Sequence, residues 1–130
     1  ENRPEWCIAD LAIMAAGCVT VPAYITNTER DHVHILDNSG ARAVIVSTEK
    51  LLRPLHGALQ ASGVAEHVIG IDDLHRQQSG SFGYYNWATM LEGDPAAARA
   101  AVENRIAAPR AACASTTARS CATWPVPAKS

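Results

Sequence analysis

The chain has 130 residues, of which 48% are hydrophobic, 5% aromatic and 18% charged, with a formal net charge of −2. This length allows at most one domain with a modest core, and the small charge gives no reason to expect nucleic-acid binding. The charges are unevenly distributed. Residues 1–108 hold all 13 acids and 8 of the 11 bases, a balance of −5, whereas residues 109–130 add 3 bases and no acid.

The beginning of the chain is charged and polar, which argues against a signal peptide. Its longest apolar stretch, residues 8–21, is interrupted by Asp10, Gly17 and Thr20, which argues against a transmembrane segment. We therefore expect a cytoplasmic protein without a membrane span.

The cysteines show no CxxC spacing. We interpret Cys7 and Cys18 as buried thiols, with a disulfide or a metal site as the alternative. The other two, Cys113 and Cys121, lie close to the end of the chain.

The segment ENRPEWCIADLAIMAAG has the pattern of a helix, with Pro4 and Glu5 in its first turn and Gly17 at its end. Apolar residues recur at spacings of three and four, which predicts one face packed on a sheet. These residues are Ile8, Leu11, Ala12, Ala15 and Cys18. The next segment, CVTVPAY (18–24), predicts a strand because Val19 and Val21 are β-branched.

The segment TNTERDHVHILDNSG (26–40) predicts a second helix, capped by Thr26, Asn27 or Thr28, with Val33 and Leu36 on one face. Three further elements follow in the chain: a strand in ARAVIVS (41–47), a helix in EKLLRPLHGALQASG (49–63) that Pro54 would disturb, and a strand in EHVIGIDD (66–73). This alternation predicts an α/β fold with a partial parallel sheet, flanking helices and right-handed crossovers.

The pattern weakens after Asp73. RQQSGSFG (76–83) is typical of a loop, YYNWATMLEG (84–93) predicts a short amphipathic helix, and DPAAARAAVENRIAA (94–108) predicts a helix with Asp94 as its cap. Residues 109–130 have neither helical nor strand periodicity and almost no large aliphatic side chain. They therefore predict an irregular tail, because such a segment cannot bury enough apolar surface to offset its ordering entropy.

Few side chains suggest chemistry. His32 and His34 are two residues apart on a predicted helix, so they point to different faces and cannot bind one metal ion together. Asp72 and Asp73 follow a strand, where open α/β sheets place ligands, and are candidates for binding a ribose or Mg²⁺. The simpler interpretation is that they cap the next turn.

The glycine-containing segment SGSFG (79–83) is followed by no predicted helix N-terminus and has no lysine, so it is a poor phosphate loop. We interpret Tyr84, Tyr85 and Trp87 as the anchor of the short helix. The sequence therefore assigns no catalytic, cofactor-binding or metal-ligating residue.

The segments ENRPEWCIADLAIMAAGCVTVPAYITNT and HILDNSGARAVIVS, in this order, resemble the N-terminal part of adenylate-forming enzymes, specifically the long-chain acyl-CoA synthetases. In that family ENRPEW opens a helix, a GxVTVPxY strand follows, and an ILxxSGAR segment leads into the next strand. The resemblance covers roughly residues 1–92. It implies part of the N-terminal AMP-binding domain over residues 1–108.

The resemblance implies an enzyme that joins a fatty acid to ATP to form an acyl-adenylate and pyrophosphate, then transfers the acyl group to coenzyme A, with Mg²⁺ as cofactor. Its phosphate loop, of the form YTSGTTGxPKG, has no match in this chain. The later motifs, which supply a metal-binding Glu, a ribose-binding Asp and a Lys from a C-terminal domain, also have none. We therefore expect a fragment that begins partway into the domain and is inactive in isolation.

The family's phosphate loop should follow a helix like DPAAARAAVENRIAA, where the tail begins instead. If residues 108–127 are encoded by GC-rich codons, the same bases read in a frame shifted by one base give GAPRGVRLHHGAILRNVAGA. This peptide resembles the end of that loop and the segment after it. We hypothesise that a deletion or sequencing error removed the front of the loop and shifted the frame.

Two other functions stay open: a small nucleotide-binding α/β module, and a non-catalytic interaction module that pairs through an unfinished sheet edge. The resemblance implies a fatty acid as the partner, while peripheral contact with a membrane surface and self-association through the unfinished sheet edge stay open.

Overall fold

The computed structural model describes residues 2–74 and 82–107. Along the chain the elements are α1 (Pro4–Ala15), α2 (Glu29–Ser39), β1 (Ala43–Val46), α3 (Glu49–Ser62), β2 (His67–Gly70), β3 (Gly83–Asn86), α4 (Trp87–Leu91) and α5 (Pro95–Ala107). The predicted α/β class with a parallel sheet and flanking helices is confirmed. The tail predicted over residues 109–130, with Cys113 and Cys121, lies outside the described residues.

The strands form one parallel sheet in the order β1-β2-β3. Ala43 is in register with His67 and Val46 with Gly70, and on the other side of β2, His67 is in register with Gly83. Each strand has only four residues. A sheet this short needs helices packed on it to be stable.

Local hydrogen bonds and backbone angles set the ends of the helices packed on this sheet. Thr28 and Asp31 form a capping box at the start of α2, which confirms Thr28 among the three predicted caps. Gly40 and Gly63 end α2 and α3 with φ angles of 64° and 63°, in the left-handed region that glycine adopts without steric cost.

The core lies between the sheet and the pair α2 and α3. Side chains less than a tenth exposed form one cluster: Leu36, Val46, Leu52, Leu55, Ala58, Leu59, Ala65, Val68, Leu74 and Phe82. Val33 packs against this cluster, so the predicted face shared by Val33 and Leu36 is confirmed.

Pro54 lies inside α3, yet the helix runs without a break from Glu49 to Ser62. The predicted disturbance therefore does not end the helix. Burial of Leu52, Leu55 and Leu59 at spacings of three and four stabilises α3 through tertiary packing, which offsets the loss of one backbone hydrogen bond at proline.

Two predicted elements differ in the structure. Residues 18–24 form no strand, so that prediction is wrong, because β-branched residues favour a strand only where a neighbouring strand pairs with them. The short helix predicted from Tyr84 begins only at Trp87, since Tyr84 and Tyr85 belong to β3 and pair with β2.

The described residues divide into two compact units, one made of residues 21–74 and 82–92 and the other of residues 2–20 and 93–107. In the second unit, the Arg105 side chain of α5 lies against Gly17 at the end of α1, where a β-carbon would collide with the guanidinium. Asp94 caps α5 as predicted, accepting a hydrogen bond from the Ala96 N–H at 2.8 Å.

The predicted buried face of α1 is wrong. Ile8 and Leu11 are 52% and 64% exposed, and Ala12 and Ala15 are exposed as well. Ala9 is the one buried residue of α1. The helix is apolar on nearly all sides, so periodicity alone could not identify which side the fold would cover.

Candidate functional site

The carboxyl edge of the sheet is the place where open α/β sheets bind ligands. Because the strands are parallel, Ser47, Asp72 and Asn86 all lie at this edge, each at or just after the end of its strand. The Asp72 N–H donates to the Ser47 carbonyl at 3.0 Å, which joins the first two chain segments just beyond the ladder. Asp72 and Asp73, the two predicted candidates, therefore lie at the expected edge, and both are exposed.

Other polar side chains at this edge act as helix caps. The Thr48 hydroxyl accepts a hydrogen bond from the Leu51 N–H at 3.3 Å at the start of α3. The Asn86 side-chain carbonyl accepts one from the Ala88 N–H at 2.9 Å at the start of α4. These groups satisfy backbone donors that a bound phosphate would otherwise use.

Two helix N-termini outside this edge, those of α2 and α5, are equally poor phosphate sites. The Asp31 carboxylate accepts a hydrogen bond from the Thr28 N–H at 2.8 Å at the start of α2, and Asp94 places a second carboxylate at the start of α5. A phosphate at either end would meet a negative charge already in place. These two helix ends and the two capped ends at the sheet edge are therefore poorly suited to binding a triphosphate.

Hydrogen bonding to Thr28 lowers the pKa of Asp31, because the backbone N–H and the hydroxyl both stabilise the ionised carboxylate. The neighbouring His32 is half-buried, and this burial lowers its pKa, against the opposing charge of Asp31. His34 is exposed. His32 and His34 both lie on α2, as predicted.

No group of three or more His, Cys, Asp or Glu side chains within residues 2–74 and 82–107 could hold a metal ion. The donor set that Mg²⁺ would need is therefore not assembled in this part of the chain. Nor is any helix there both long and apolar enough to cross a membrane.

The loop SGSFG falls mostly outside the described residues, but its end is defined. Phe82 is buried in the core, and Gly83 begins β3. The loop therefore leads into a strand and not into a helix N-terminus, which agrees with the prediction that it is a poor phosphate loop.

The tyrosines anchor the sheet and not the short helix, so their predicted role is wrong. The rings of Phe82 and Tyr84 meet edge to face at 5.5 Å, and those of His67 and Tyr85 at 5.6 Å. Such contacts between rings stabilise the core beyond simple burial. Tyr85 thereby contacts β2 through His67, whereas Tyr84 contacts Phe82 just before its own strand.

A charged pair at the opposite, amino edge of the sheet is a feature that sequence reasoning missed. Arg42 and Glu66 precede β1 and β2, and the Arg42 Nε donates to Glu66 Oε1 at 3.0 Å. This hydrogen bond raises the pKa of Arg42 and lowers that of Glu66. Opposite charges at the start of two consecutive predicted strands were the available signal.

The thiols differ from their prediction. Cys7 is exposed and Cys18 is half-buried, and the two are not joined by a disulfide. The interpretation of two buried thiols is wrong because α1 leaves most of its surface uncovered.

The described residues form an open, parallel α/β sheet with flanking helices. The chain belongs to the AMP-binding enzyme family, whose model matches residues 1–113. Membership of this family implies that an intact enzyme of this kind uses ATP. Searches of the curated proteins and of the solved structures each returned no match.

Proposed function

We propose that this chain is part of the N-terminal subdomain of an AMP-forming ligase that activates a long-chain fatty acid with ATP and transfers it to coenzyme A in the cytoplasm. The observation that carries the proposal is the family match over residues 1–113. The acyl-CoA branch is supported by the GxVTVPxY and ILxxSGAR segments, which fit the long-chain synthetases best.

In this proposal the described residues are a supporting scaffold. Adenylation requires charge stabilisation on the phosphates by a loop rich in backbone N–H groups, by Mg²⁺ and by a cationic side chain. The described helix N-termini with caps are occupied by their own side chains, and the polar residues at the ligand edge include two of those caps. The isolated chain is therefore proposed to be inactive.

We further propose that the family domain ends near residue 108 and that residues 109–130 are a foreign tail produced by a shifted reading frame. The end of the family match at residue 113 supports this boundary, since most of the tail is left outside it. Sequencing the encoding DNA tests the idea. Codons that fail to give the loop-like peptide in the shifted frame contradict it.

The activity test is pyrophosphate release by the purified full chain with ATP, Mg²⁺, coenzyme A and a long-chain fatty acid. We expect no release above the no-enzyme rate, while an intact fatty acid–CoA ligase in the same assay turns over. Turnover by the pure chain would contradict the proposed inactivity. Restoring the missing loop at the DNA level, with the downstream sequence in frame, should restore release.

Substrate class is tested on that restored enzyme. The proposal expects a higher kcat/KM for long-chain fatty acids than for acetate or aromatic carboxylates. A preference for a short or aromatic acid would remove the long-chain assignment and leave the AMP-forming class intact.

A non-catalytic interaction module is the second candidate, because α1 exposes Trp6, Ile8, Leu11 and Met14 by more than half. Exposed apolar patches of this kind mark interaction surfaces or parts separated from a larger core. Size-exclusion chromatography with light scattering distinguishes an interaction surface from a surface exposed by separation from a larger core. A stable homo-oligomer with unchanged α1 accessibility would disfavour an interaction role for this helix.

A further inference from the structure

We draw no further inference here: the strongest candidate, the exposed apolar surface patch that Trp6, Ile8, Leu11 and Met14 form on α1, carries no proposal because nothing in the structure shows what covers it.

Discussion

Helices α1 and α3 are both rich in apolar side chains, yet α3 buries them and α1 leaves most of them exposed. In α3, Leu52, Leu55 and Leu59 are nearly or fully buried and line one side of the helix. In α1, Ile8, Leu11 and Met14 remain more than half exposed. Hydrophobic content therefore does not by itself determine burial, because burial also requires a complementary surface.

The difference in burial follows from how polar and apolar residues are distributed around each helix. The polar residues of α3 occupy the side away from the core, so only one orientation on the sheet is favourable. Apolar residues surround α1 on almost all sides, a composition typical of helices covered on every face. The uncovered surface of α1 is therefore consistent with the proposed origin in a larger enzyme.

The largest expected effect is a difference in stability loss between matched substitutions in α3 and α1. Leu59→Ala should lower the free energy of unfolding by about 2–5 kcal/mol, because it opens a cavity in a closed core. The matched change Leu11→Ala should cost less than about 0.5 kcal/mol, as for other exposed positions. Urea denaturation of each full-length chain, followed by circular dichroism, measures both. Equal losses would show that α1 is buried in solution.

The second-largest effect is a loss of stability on substitution of Gly63, which ends α3. Gly63→Ala should destabilise the chain by roughly 1–2 kcal/mol, because alanine is strained at a φ of 63°. A β-carbon there has nothing within 4 Å, so the cost lies in the backbone and not in a collision. Gly63→Asn should lose less, since asparagine tolerates this conformation better. A neutral alanine variant, measured by the same denaturation, would contradict the left-handed end of α3.

A smaller effect concerns the start of α2. Thr28→Ala removes the cap and should cost about 1 kcal/mol. The matched control is Thr26→Ala, since Thr26 is exposed and lies outside the capping box. Thermal unfolding of both variants decides which threonine caps the helix. A larger loss at Thr26 would reverse the assignment.

The smallest effect is a pH dependence from Asp31. Its pKa is lower in the folded chain than in the unfolded chain, so its contribution is fully present above its ordinary pKa of about 4 and is lost as the pH falls through the lowered value. Asp31→Asn should therefore flatten part of the stability decrease below about pH 4. Denaturation midpoints between neutral and acidic pH measure this. Parallel curves for the two chains would contradict a lowered pKa.

Much of the fold was predictable because its signals are local. Thr28, Gly40, Asp94 and Pro95 mark helix ends through hydrogen bonds and backbone angles within a few residues. The alternation of short apolar runs with helical segments indicated the parallel sheet. Asp72 and Asp73 lie at the expected edge for the same reason, since the ends of parallel strands meet there.

The failures all involve contacts between distant segments. Tyr84 and Tyr85 have no local preference strong enough to choose between a helix start and a strand, and pairing with β2 decides it. The Arg42–Glu66 pair joins residues 24 positions apart, so only the ladder between β1 and β2 brings the two side chains together.

The sequence by itself determined the class of fold, most of the helix boundaries and, through its family segments, the kind of enzyme from which the chain descends. Those properties depend on residue type and short-range spacing. Only the tertiary structure decided which apolar residues are covered and which short segments become strands. The reason is that burial and strand pairing are properties of two surfaces in contact, whereas a local pattern describes only one of them.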